Sequence, residues 1–534
     1  MAFEHEYFKL SEVPLPSTPV QVVAATLVAL SVAKVVFDYF ASRRKLSYPP
    51  GPRPLPLVGN LLDIPLPDSP REQWKIYAGA IILNINVGDI MHFRALGRSI
   101  VVLSSLQAVK DLLDLRAAIY SDRPYLRMFE ISEAPDYILT IAPYGKVWRD
   151  LRQAFQSYFT PKNVSKYEDV QLGSAHELLK RLIVSDSSSW VDQVRVTLSS
   201  TILEVGYGHK VQDVNDRHMQ VAGSAIGGFV EMATPGQFLI EFLPFLRYVP
   251  SWMPGANFKR QVLTWRRDLQ RMFQEPFDEM KQRMVAGQQP SCLAADILKS
   301  KPNSLSPEEV EALARNVPGA AHIGGAGTSG PSTILFFLAM ALHPEVQRKA
   351  QEELDRVVGS ERLPTFSDRP NLPYIEALTK EVLRWELAVP LSIAHSNTEE
   401  DEYRGYRIPK GSIILVVSRR AILHDERTYP DPFAFKPERF LKDGKLNPDV
   451  LDPSEACFGF GRRRCPGRHF AANNLFSIFS NVLHTFNITP AKGKDGKPVD
   501  TTFKMSRGTI SSPSVFDCDI IPRSAQAEAL IRAA

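Results

Sequence analysis

Phe458-Gly459-Phe460-Gly461-Arg462-Arg463-Arg464-Cys465-Pro466-Gly467 is the stretch on which the reading of this chain turns. Two glycines before the cysteine and one after it permit a tight turn, with backbone N–H groups close enough to point at a sulfur. Those donors and the neighbouring arginines hold a thiol as thiolate, the form in which cysteine ligates a metal or attacks as a nucleophile. The remaining cysteines, Cys292, Cys457 and Cys518, complete no CxxC or Cys/His zinc pattern and do not look like a disulfide framework. A reduced, cytosol-facing catalytic domain is the expectation.

Moving outward, Pro437-Glu438-Arg439-Phe440 lies upstream of this turn, and further upstream Glu381-Val382-Leu383-Arg384 is an ExxR. That spacing puts an acid and a guanidinium on one helix face, where they can pair. Alone it is weak, since roughly two such matches arise by chance in a chain of this length at average composition. Trp148 and Arg152, at i and i+4, share the face of another expected helix.

Phe458, Gly461, Arg463, Cys465 and Gly467 fill FxxGxRxCxG, and on these residues the chain resembles the cytochrome P-450 family, whose haem-binding signature this is. The resemblance extends over nearly all of the chain after the N-terminal segment. It implies one large, mainly α domain with minor β-sheets. It also implies heme b with Cys465 as the axial thiolate on the iron, a ligand that pushes electron density toward bound dioxygen and favours O–O cleavage. By the same resemblance Arg463 contacts a haem propionate, Phe458 packs near the thiolate, and Gly467 completes the ligand loop. Trp148 and Arg152 match the family's WxxxR and are assigned to the propionates, with His395 as a further partner. Arg439, from an element like PERF, joins Glu381 and Arg384 in a buried network supporting the haem pocket.

The family's oxygen-activating helix corresponds to Gly324-Gly325-Ala326-Gly327-Thr328-Ser329. Thr328 fits the position that hydrogen-bonds the activated dioxygen and guides protons to it. The usual acid is replaced by Gly327. Pro331 has no N–H, so the carbonyl four residues earlier, on Gly327, loses its helical donor. Water held at that carbonyl, or a substrate hydroxyl, is expected to take over the acid's part.

Residues 20–37 are almost wholly apolar, broken only by Gln21, Thr26, Ser31 and Lys34, and are just long enough to span a bilayer. Lys34 would cost roughly 2.5 to 3.5 kcal/mol at mid-membrane, but near the end of the span its stem reaches the headgroups. Arg43, Arg44 and Lys45 follow, whereas Glu4, Glu6 and Glu12 precede, which places the later domain in the cytosol. The expected organisation is a membrane anchor over 1–45, a stiff Pro-rich hinge over 46–56, and a haem-binding catalytic domain over 57–534, on the endoplasmic reticulum membrane.

The net charge of +4 carries no nucleic-acid footprint. Helix-like spacing dominates residues 146–184, 310–358 and 373–387, and strand-like stretches fall at 100–103, 406–408 and 412–417. The segment 238–253 is conspicuously apolar, read either as core packing or as a membrane-surface lip for substrate entry. The anchored eukaryotic pattern implies electrons from NADPH through a cytochrome P-450 reductase, with Arg462, Arg464, Arg468, Lys146 and Arg149 as candidate docking cations. The expected reaction inserts one oxygen atom from dioxygen into an apolar small molecule, a terpenoid or polyketide of fungal secondary metabolism by its resemblance. A haem-thiolate enzyme of rearrangement, dehydration or peroxide-dependent oxidation is the alternative. Substrate choice is expected to rest on residues 125–141, 238–253 and 389–394, the stretch before Thr328, and the turn near Ile510.

Overall fold

The computed structural model describes residues 46–56, 58–63, 89–234, 236–300, 305–492, 503–506 and 508–534. The anchor expected over 20–37 lies outside them. The chain is mainly helical with small sheets. Its longer helices are α1 (Lys146–Tyr158), α2 (Glu168–Leu182), α3 (Trp190–Tyr207), α4 (Arg217–Ala233), α5 (Asn257–Val285), α6 (Leu293–Ser300), α7 (Pro307–Leu342), α8 (Pro344–Val357), α9 (Pro373–Trp385), α10 (Arg468–Thr485) and α11 (Ala525–Ala533).

The run read as helical over 146–184 is α1 and α2, separated by a short 3₁₀ turn at Val164–Tyr167. The run over 310–358 divides at His343, where Pro344 takes the first position of α8 because its missing N–H needs no partner there. α7 begins with a capping box in which Ser306 and Glu309 each satisfy the other's backbone N–H. It is long and apolar enough to cross a membrane, yet it lies in the core.

A four-stranded sheet is built from β1 (Ile90–Ala95), β2 (Arg98–Leu103), β3 (His395–Ser396) and β4 (Ile413–Val416), in the order β1-β2-β4-β3. β1 and β2 are antiparallel around Leu96 and Gly97, both at positive φ (46° and 84°), as a tight two-residue hairpin demands. β2 pairs with β4 in parallel, Ile100 opposite Ile413. A second sheet pairs β5 (Phe486–Pro490) with β6 (Cys518–Pro522). The Pro-rich stretch is docked from Pro50 onward, where Pro50 O accepts from His92 N at 3.0 Å and Pro52 O from Asn60 Nδ2 at 3.1 Å. A separate small unit groups residues 46–49 with the hairpin of Asp401–Tyr403 and Tyr406–Ile408, in which Arg407 N donates to Ser47 O at 2.8 Å.

Two buried apolar clusters make the main body. One gathers side chains of α1, α4, α5 and the first half of α7 as far as Ile323. The other gathers α2, α8, α9, α10 and the second half of α7 from Ile334. Phe336 of α7 stacks on Phe479 of α10 with ring centroids 4.0 Å apart. The core-packing reading of 238–253 fails for most of that segment. Ile240 is buried, but Leu239, Phe245, Tyr248 and Trp252 are 68%, 62%, 78% and 77% exposed.

Candidate active site

α7 is the element that opens the site. It leaves one core cluster at Ile323 and enters the other at Ile334, and between them Gly324–Thr328 are exposed or half-exposed. A Cβ on Gly324 would meet nothing within 4 Å, so a void lies against the middle of a core helix. Thr328 Oγ1 donates to Gly324 O at 2.7 Å, and Ser332 Oγ to Thr328 O at 3.2 Å. Such back-bonding bends helices, which suits a helix carrying Pro318 and Pro331 inside it. Gly327 faces apolar neighbours: a Cβ there would stand 3.5 Å from Ile510 Cδ1 and 3.7 Å from Ile226 Cγ2. The turn near Ile510 is thus brought to the site, as the sequence predicted.

The cysteine loop is closed by Cys465 N donating to Phe458 O at 2.7 Å. Gly461 is obligatory there. Its φ is +57°, and a Cβ would stand 2.0 Å from Leu113 O. Its N–H donates to Asp114 Oδ1 at 2.6 Å, a carboxylate on the π-helical turn Lys110–Leu115. Cys465 precedes the N-terminus of α10, and its thiol is pulled two ways. Burial pushes its pKa up, while the Gly467 N–H and the charges of Arg152 and Arg468 pull it down. Residues 465–472 are all half-exposed, whereas the rest of α10 is buried, and a Cβ on Gly467 would meet nothing within 4 Å. Cys292 and Cys518 lie buried elsewhere, and burial raises both thiols and that of Cys457.

The basic groups converge on this loop. Arg152 of α1 donates from Nη1 to Arg464 O at 2.5 Å. Arg463 lies with its guanidinium 4.7 Å from the centre of the Trp148 ring. Its Nε, Nη1 and Nη2 donate to the carbonyls of Ser121, Leu139 and Ala142 at 2.7, 3.3 and 2.8 Å. Those bonds occupy three of the five N–H donors of a guanidinium, which leaves two for the propionate contact that the resemblance implies. His395, on β3, has Nδ1 2.9 Å from Tyr120 O, so Nδ1 carries the hydrogen and donates. Burial depresses its pKa to about 3, aided by Arg123 and Arg463.

Arg123 was not foreseen. It donates to Thr140, Ile393 and Ala394 carbonyls, and burial together with Arg463 pushes its pKa well down. Asp122 acts on both arginines, and its Oδ1 also accepts from Tyr144 N at 2.8 Å. Nothing in an Asp-Arg pair within a loop announces burial, because the carbonyls that Arg123 bonds lie 17, 270 and 271 positions away.

Behind the site Glu381, Arg384 and Arg439 form the expected network. Glu381 and Arg384 are fully buried, with Arg384 Nε and Nη2 reaching the two carboxylate oxygens at 2.7 and 2.8 Å. Arg439 Nε adds bonds of 3.2 and 3.1 Å, and Lys436 N a fourth donor at 2.8 Å. The remaining guanidinium donors clamp carbonyls of Leu423, Pro430, Asp431, Pro432 and Ala434, so the network fixes the strand-free run before the cysteine loop.

Of the candidate docking cations, Lys146 is engaged by Asp150 and Glu309, and Arg464 by Glu455. Arg462 lies against Tyr144, Arg468 Nη1 donates to Cys465 O at 3.2 Å, and Arg149 is exposed.

This arrangement, a thiol just before a helix start with Arg152 and Arg468 acting on it, agrees with comparison to known proteins. Residues 49–513 match the family model described as Cytochrome P450. The chain belongs to the cytochrome P450 family. It is similar to Cytochrome P450 monooxygenase COX2 of Coprinopsis cinerea, 42% identical over 93% of this chain and 93% of the relative. COX1 of the same fungus is 38% identical over 95% and 99%, and Cytochrome P450 monooxygenase ple1 of Rhodocybe pseudopiperita 36% over 92% of each. The protein is therefore a haem-thiolate monooxygenase, with haem held by a cysteine thiolate.

The residues present fit that group. Arg123, Arg152, Arg463 and Arg468 gather with Asp122 as the carboxylate acting on two of them. Burial and mutual repulsion hold Arg463 down to about 10. A buried cationic excess of this kind is completed by an anion, and haem brings two propionates.

Proposed function

We propose that Cys465 is the axial thiolate and that the chain hydroxylates an apolar small molecule with one oxygen atom of dioxygen. The single observation that carries this is Cys465 itself, half-exposed just before the start of α10, with the Gly467 N–H on its sulfur. Haem bound there supplies the oxidising chemistry. The chain's own work is to hold the thiolate, neutralise the propionates, shape an apolar space and deliver protons. Arg152 and Arg463 would meet the propionates, with Trp148 fixing the plane of the Arg463 guanidinium, and His395, whose Nδ1–H is spent on Tyr120 O, would donate to one from Nε2 by taking up a second proton beside that negative charge. Phe458 and Gly467 shape the loop around the sulfur. Ile226 and Ile510 line α7 beside Gly327, and Ile202 packs directly against Gly325.

Thr328 Oγ1, whose hydroxyl donates to Gly324 O, would hold a proton in the gap of α7. An acid at 327 would lie against Ile226 and Ile510, so Gly327 serves by making room, and proton delivery passes to Thr328 and to water at the Gly327 carbonyl. The missing acid also favours a second reading, rearrangement, dehydration or peroxide-dependent oxidation. Product formation that requires NADPH, a cytochrome P450 reductase and dioxygen together selects the first reading, and product without them the second.

The anchor over 1–45, the hinge over 46–56 and the catalytic domain over 57–534 fit a place on the endoplasmic reticulum membrane. The exposed Leu239, Phe245, Tyr248 and Trp252 support contact with that membrane. Arg149 and Arg462 are the exposed cations best placed to meet an acidic reductase surface. The fungal relatives and the isoleucine-lined space support a terpenoid or polyketide substrate. The assignment of the thiolate is tested by Cys465→Ala, which should abolish the red-shifted carbon-monoxide spectrum of the reduced protein. A normal spectrum in that variant would falsify the assignment.

A further inference from the structure

We propose that His209, His218 and Glu279 bind a divalent transition-metal ion of the zinc class, with Asp216 as the residue that orients His209. The site lies where the end of α3, the start of α4 and the last third of α5 meet, apart from the cysteine loop. The donor atoms of the three residues all lie within 4.8 Å of one another. His218 Nε2 is 3.0 Å from Glu279 Oε2, and His209 Nδ1 is 3.8 Å from the same oxygen. Around a tetrahedral ion with bonds of about 2.0 to 2.1 Å, neighbouring donors stand roughly 3.3 Å apart. The two carboxylate–imidazole spacings bracket that value and the imidazole–imidazole spacing is at most 4.8 Å, so side-chain rotation of about an ångström would close the site.

The second observation is the way the imidazoles are held. His209 Nε2 is 3.2 Å from Asp216 Oδ2, which makes Nε2 the hydrogen-bearing nitrogen and leaves the Nδ1 lone pair turned toward Glu279. A carboxylate bonded to the far nitrogen of a ligand histidine is the outer partner that metal-binding imidazoles characteristically use. Asp216 is itself fixed, because its Oδ1 accepts the His218 N–H at 2.8 Å and caps α4. The two rings meet edge to face at 4.5 Å and 81°. His322 of α7 is 1% exposed and has an Nε2 without a hydrogen-bond partner among the described residues.

Two imidazoles and one carboxylate suit zinc and its first-row neighbours, and exclude a preference for magnesium or calcium, which favour all-oxygen sites. Three protein ligands leave a fourth position for water. Glu279 and His209 side chains are 42% and 26% exposed, which gives an ion its way in. An ion here would tie α4 to α5, and α4 is the helix that carries Ile226 to the Gly327 wall.

The test uses the haem-loaded full chain, stripped with a chelator, equilibrated with micromolar zinc and desalted. Atomic spectrometry should find one zinc per haem iron in the wild type and none in His209→Ala/His218→Ala. Glu279→Gln, which keeps the side chain's shape, should also lose the ion. Asp216→Asn should weaken zinc binding about 10- to 100-fold in competition with a chromophoric chelator. The carbon-monoxide spectrum should stay normal in every variant, which certifies the fold and separates this site from the thiolate. The proposal is overturned by a wild type that retains no zinc, or by an equal zinc content in wild type and both ligand variants.

Discussion

Glu381 shows what a single side chain does in this molecule. It is a fully buried carboxylate that bridges two guanidinium groups at once, and the backbone of the run before the cysteine loop is held through those guanidiniums. Removing one partner of such a cluster leaves an uncompensated buried charge, which costs about 3 to 5 kcal/mol. Glu381→Gln should therefore lower the unfolding free energy measured by urea titration by that amount and yield protein that fails to retain haem. An unfolding curve matching the wild type would mean that the network carries no strain-sensitive load. At this scale the sequence was informative wherever chemistry is local. The cysteine turn and the ExxR pair are short local patterns, and Thr328 follows from the resemblance of residues 324–329 to the family's helix. The real partners of Arg463 were not legible, because Ser121, Leu139 and Ala142 are over 300 positions away and offer only carbonyls, which every residue has.

Among the elements, α7 gives the most direct test, since its glycines differ in what surrounds them. A Cβ on Gly319 would stand 2.4 Å from the Phe273 ring, whereas one on Gly327 would make only ordinary contacts at 3.5 and 3.7 Å. Gly319→Ala should cost about 1 to 3 kcal/mol through overpacking. Gly327→Ala should instead stabilise the helix by up to about 1 kcal/mol while narrowing the space beside Ile226 and Ile510. Thermal melting of both variants decides the matter, and a common sign would contradict the packing described. The helices α1, α2 and α7 to α9 announced themselves by apolar spacing or by proline at the first position. α3 did not, because nearly every residue from Val194 to Tyr207 is buried and no polar face contrasts with an apolar one. The segment 238–253 misled in the opposite direction. Its apolar side chains suggest an interior, yet the 3₁₀ turn Pro244–Tyr248 has no buried residue.

At the scale of the whole molecule, buried histidines set the acid limit of stability. Burial depresses His92 to about 4, His395 to about 3 and His424 to about 2. In the unfolded chain each takes a proton near pH 6.5. Below that value the unfolded state binds more protons than the folded one, so stability is complete above about pH 6.5 and falls progressively toward the folded values. Melting followed by circular dichroism should be flat from pH 8 to 7 and drop steadily from 6.5 to 4.5. A constant melting temperature across that lower range would contradict it. A different consequence follows from the parallel pairing of β2 with β4, Ile100 beside Ile413. A ribosome adding about 5 to 20 residues per second leaves the emerged β2 without that neighbour for roughly 15 to 60 s. During this interval one side of the hairpin is an open template for pairing with other nascent chains. The yield of this enzyme in a foreign host is thus governed by how well chaperones shield that edge until the last third of the polypeptide appears.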